Sequence, residues 1–69
     1  MEITRKIKEE LTKEQFNLVA YQISQIGIAE AKTDISGMKK SIQDAVGILL
    51  TNNMVEAGNK VERYLSIID

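Results

Sequence analysis

Apolar residues recur three and four positions apart along most of this chain, the spacing that gathers them on one side of an α-helix. The first clear stripe is Phe16, Val19, Ala20, Ile23 and Ile26. It follows Leu11-Thr12-Lys13-Glu14-Gln15-Phe16. There Thr12 is placed as an N-cap, and Gln15 closes a capping box three residues later. Leu11 and Phe16 take the two positions of a hydrophobic staple. The pattern predicts a helix over 13–26. Gly27 is read as its end, because a glycine just past the last turn adopts a left-handed conformation at no steric cost. Ile28 would then fold back on Ile23. The alternative is a helix running through Gly27 at a cost of about 1 kcal/mol relative to alanine.

From Ile28 the period restarts in a new phase. Ile28, Ala31, Ile35, Met38, Ile42, Ala45 and Leu49 alternate three and four apart, which is a heptad seam of the coiled-coil kind. It predicts a second helix over 28–51, with its weak point around Gly37. Asp34 and Ser36 are good capping residues and mark the competing start of a shorter helix. Asn52-Asn53 reads as a turn, with Asn53 capping the next helix and Glu56 completing the cap. That third helix, 54–67, carries Met54, Ala57, Val61, Tyr64, Leu65 and Ile68 near its inner side. Gly58 beside Ala57 leaves room for a neighbouring backbone. Ile3, Ile7 and Leu11 are four apart, which predicts a short helix over 2–10; as a strand, the segment would put Arg5 on its apolar face.

The expected fold is therefore all-α: one domain over 1–69, a small helical hairpin or three-helix unit completed by self-association. Composition supplies the reason for the last clause. A chain of 69 residues buries a smaller share of its surface than a larger one. Small scaffolds compensate with disulfides, a metal or association. Cys and His are both absent, which removes disulfides and the usual nitrogen and sulfur metal ligands. Association remains. The net charge of −1 argues against bulk attraction to nucleic acid or anionic lipid. The first residues lack the continuous apolar stretch of a signal peptide. No run approaches the ~20 apolar residues of a membrane span. A soluble cytoplasmic protein with no membrane partner is expected.

Few residues suggest chemistry. Without Cys or His, nucleophilic catalysis would need Ser, Thr or Lys beside a carboxylate, and no such pair is arranged. Glu9-Glu10 and Glu30/Asp34 are the acidic clusters, and solvated helix faces produce such pairs routinely. The acidic loop of a calcium-binding EF-hand does not follow Leu11–Phe16. The glycines are isolated, unlike those of a phosphate-cradling loop. No catalytic, cofactor-binding or metal-ligating residue is assigned, and an enzyme is not expected.

Two functional classes compete. In the first, the chain is a protein–protein interaction module (a regulator, inhibitor or assembly factor) that packs helices on a partner protein or on its own copies. Leu18 and Tyr21, with Ala29, lie away from the inward stripe of the first helix, and a helix apolar on two sides needs cover on both. The candidate contact residues are Leu18, Tyr21, Ile28, Ile35, Met38, Ile42 and Leu49. In the second class, the chain is a DNA-binding regulator. Ile26-Gly27-Ile28 would be the turn of a helix-turn-helix, with Lys32, Thr33, Ser36, Lys39 and Lys40 as nucleic-acid contacts. A ribbon-helix-helix with residues 3–8 as its strand is the other form. Thr33, where a helix-turn-helix wants a buried aliphatic, weighs against the DNA class, as does the acidic charge balance.

Overall fold

The computed structural model describes residues 2–68, and every regular element among them is helical. In chain order they are α1 (Ile3–Glu9), α2 (Lys13–Ala31), α3 (Ile35–Thr51), α4 (Val55–Glu62) and α5 (Tyr64–Ile67). Only Arg63 separates α4 from α5, and its backbone is itself helical. The two behave as one arm, close to the helix expected over 54–67. α2 and α3 make the most extensive contact, with α1 against α2 and the α4–α5 arm against α3.

The start of α2 follows from its local sequence. The Thr12 hydroxyl accepts from the Gln15 backbone N–H at 3.2 Å, and the Gln15 side chain accepts from the Thr12 N–H at 2.9 Å. Both halves of the capping box are thus present. Leu11 and Phe16 lean half-buried against the core. The Lys8 ammonium lies 5.3 Å from the centre of the Phe16 ring, within range of a cation–π attraction.

The end of α2 is not at Gly27. The helix continues to Ala31 and leaves α-geometry at Thr33, whose φ is +56°. Two hydrogen bonds define that ending: Thr33 N–H donates to the Glu30 carbonyl at 3.0 Å, and Asp34 N–H to the Ala29 carbonyl at 2.8 Å. This is a Schellman motif, built on threonine where glycine is usual. Asp34 then caps α3 by accepting from Gly37 N–H at 3.0 Å. A Cβ at Gly37 would collide with that carboxylate. The helix expected over 28–51 is therefore split between α2 and α3, and Gly37 makes room for a cap.

Packing explains why the glycine lost. Interrupting α2 at Gly27 would save about 1 kcal/mol of helix propensity. Continuing it buries Ala29 and brings Glu30 onto α1. The Glu30 carboxylate accepts from Ile3 N–H (2.7 Å), Thr4 N–H (3.1 Å) and the Thr4 hydroxyl (2.7 Å). α1 has no side-chain cap of its own, so α2 supplies one to its orphan amides. Burial raises the Glu30 pKa, but these hydrogen bonds outweigh it and hold the carboxyl below the ordinary glutamate value.

The second reversal repeats the first. Asn53 has φ +62°, its N–H donates to Leu50, and Met54 N–H donates to Leu49 at 2.9 Å. Asn53 is thus the left-handed residue of another Schellman ending, and not the N-cap expected. Met54 stands at the N-cap of α4 without a side-chain bond. Gly58 is buried against the Leu50 side chain, so a side chain occupies the space expected to admit a backbone.

The core draws on all the longer elements: Ile3 and Ile7, Val19, Ile23 and Ile26, Met38, Ile42, Ala45 and Leu49, Ala57 and Val61. Each large side chain fully buried there contributes roughly 1.5–3 kcal/mol relative to exposure. Residues equally far from the Thr33 turn meet: Gln22 shares a cleft with Gln43, Asp44, Gly47 and Ile48. α2 and α3 therefore form an antiparallel hairpin.

Candidate interaction surface

Among the described residues, the side of α2 that carries Leu18, Tyr21 and Ile28 faces solvent. Tyr21 is 70% exposed there, Ile28 47% and Leu18 39%. Exposing so much apolar surface along one helix forgoes roughly 25 cal/mol per Å² left in water.

The polar residues of that face are as telling. From Gln15 to Ala29 the chain has no charged side chain, although 28% of all its residues are charged. Exposed Asn17 and Ser24 and half-buried Gln22 and Gln25 fill the gaps between the apolar positions. Depletion of charge with an exposed aromatic is the compositional mark of an interface centre. Two open clefts flank the helix. One is lined by Gln22, Gln43, Asp44, Gly47, Ile48, Thr51 and Asn52. The other is lined by Lys13, Glu14, Asn17, Leu18, Asn52 and Met54.

Comparison with protein-family models, curated proteins and solved structures found no match.

Of the candidate contact residues, the structure keeps Leu18, Tyr21 and Ile28 outside. It turns Met38, Ile42 and Leu49 wholly inward and packs Ile35 against the same core. Met38, Ile42 and Leu49 are thus buried in the chain's own core, and Ile35 is half-buried at its edge. Ala29, expected on the outer side of the first helix, is also buried. Periodicity identified the apolar seam but not which surface would cover it.

The turn and the strand that the two DNA-binding motifs would need do not form at the residues expected. Ile26-Gly27-Ile28 is the interior of α2, not a turn. Residues 3–8, the would-be strand, lie in α1. A helix-turn-helix crosses two helices at about 90–120°, whereas α2 and α3 run antiparallel. Lys32 and Thr33 stand exposed in the turn, Ser36 is exposed in the first turn of α3, and Lys39 is half-buried. Lys40 reaches Asp44 at 3.8 Å, so part of that basic face is already balanced.

A second polar corner joins α5 to α1. Burial raises the Tyr64 pKa, and the Glu10 carboxylate beside its hydroxyl raises it further. Among the described residues no three acidic side chains converge as a metal site would need, and no helix is long and apolar enough to cross a membrane.

Proposed function

We propose that this chain is a non-catalytic protein–protein interaction module, a small regulator, inhibitor or assembly factor that works by helix packing. The outward face of α2 is its contact surface. The observation that carries this reading is the coincidence of exposed Leu18, Tyr21 and Ile28 with the charge-free run from Gln15 to Ala29. A helix face of that kind is suited to lie in a groove or against another helix.

The reading is tested with a photo-reactive benzoylphenylalanine placed at Tyr21 or Ile28, and at exposed Glu62 on α4 as the control. Irradiation in the producing cell should give protein adducts at 21 and 28 and few at 62. No protein adduct at either α2 position, or adducts concentrated at 62, overturns the assignment. Purified chain that retains nucleic acid at low salt and releases it steeply with added salt would replace this reading with a DNA-binding one.

A further inference from the structure

The interaction-module reading leaves the partner open, and the order of residues on α2 points to one. Glu14, Leu18, Tyr21, Gln25, Ile28 and Lys32 are spaced four, three, four, three and four apart. That is one heptad seam. The backbone leaves helical values at Val19 (φ −117°, ψ 19°), between Leu18 and Tyr21, and both of these residues are exposed. Glu14 and Lys32 at its ends are exposed. Among the described residues neither has an ion-pair partner within the chain.

Reversed end for end, this seam complements itself. Antiparallel pairing about a twofold axis beside Ile23 sets Glu14 against the second copy's Lys32. Leu18 meets Ile28, and Tyr21 meets Gln25. Each layer occurs twice, as an isologous interface requires. Parallel pairing would instead face Glu14 with Glu14 and Lys32 with Lys32. Exposed Asn17, Ser24 and Ala31 beside the seam carry no charge to oppose the approach. We infer that the occupant of the α2 face is a second copy of this chain, docked antiparallel through α2. At 1.5 Å per residue the seam spans at most about 27 Å. One helix against one helix is a small interface, so the dimer should be a weak one that dissociates on dilution.

The test is sedimentation of the full chain across a dilution series at low salt, with Glu14→Lys, Lys32→Glu and the double variant. Wild type should pass from dimer to monomer on dilution. Each single variant makes both terminal layers like-charged and should weaken the dimer by roughly tenfold or more. The double variant should recover the wild-type behaviour. Mixing the two single variants should form a heterodimer, because every terminal layer is then oppositely charged. Recovery in the double variant also separates pairing from folding, since it carries both helix-end changes; circular dichroism confirms its helicity. Wild type that stays monomeric up to about 1 mM overturns the self-pairing. So do single variants that dimerise like wild type, or a mixture that does not. If the chain is monomeric while Tyr21 still cross-links to another protein, self-pairing fails and the interaction-module reading stands. If no protein cross-links there, both fail.

Discussion

The α2–α3 reversal can be located by the signs of two substitutions. Thr33 holds φ +56°, a conformation that costs an L-residue roughly 1–2 kcal/mol. Its side chain is exposed, so nothing packed is lost by removing it. Thr33→Gly removes the steric cost and adds about 0.5–1 kcal/mol of backbone entropy to the unfolded chain. The net is a stabilisation of about 0.5–1 kcal/mol. Gly27 is the converse case, a glycine inside a helix. A Cβ there would meet Thr4 Cγ2 at 3.5 Å, an ordinary contact. Gly27→Ala should therefore stabilise by about 1 kcal/mol through helix propensity. In a domain this small each change should raise Tm by roughly 3–8 °C, read by circular dichroism. If the chain reversed at Gly27 instead, both signs would invert: alanine would be strained at 27, and glycine would weaken a helix at 33. A fall in Tm for either variant refutes the placement of the turn.

Other expectations follow from the same contacts. Thr12→Ala removes the capping box and should cost about 1 kcal/mol in a denaturant titration. Ile42 is fully buried, so Ile42→Asp should leave a chain with little helical circular dichroism, while Lys40→Asp on the exposed side is tolerated; a helical Ile42→Asp protein would remove α3 from the core. The Glu30 carboxyl is held below its ordinary value in the folded chain, so its contribution is complete above the unfolded glutamate pKa of about 4.3. It is lost as pH falls through the folded value. Glu30→Gln should therefore flatten the acid limb of the stability curve, and amide exchange in α1 should rise first.

What the sequence disclosed divides along the line between local and tertiary causes. The capping box at Thr12 and Gln15 is contained in four residues, and the structure has it where the pattern puts it. The seam from Ile35 to Leu49 was equally legible, since its period requires one buried face. Ile28 and Ala31 joined that seam by a coincidence of phase, for they belong to the helix before the turn. The competing helix start at Asp34 is the one the structure has, but the left-handed residue before it was hidden, because threonine at positive φ opposes its own local preference. The placement depends on Glu30 reaching α1 and on the Asp34 cap, and only the first of these is remote in sequence. For the surface, Leu18 and Tyr21 were visible as apolar residues off the main stripe. The sequence offers Lys32 only as a candidate nucleic-acid contact and gives Gln25 and Glu14 no contact role, although the charge-free run from Gln15 to Ala29 lies in the sequence.

The claim that the outer face of α2 is the contact surface is tested most directly by amide chemical shifts of isotopically labelled protein across a dilution series. Concentration-dependent shifts are expected at Leu18, Tyr21, Gln25 and Ile28, with the exposed side of α3 around Lys40 unchanged. Shifts that map instead to α3 or α4, or that are absent up to millimolar protein while no other protein cross-links at Tyr21, would contradict it.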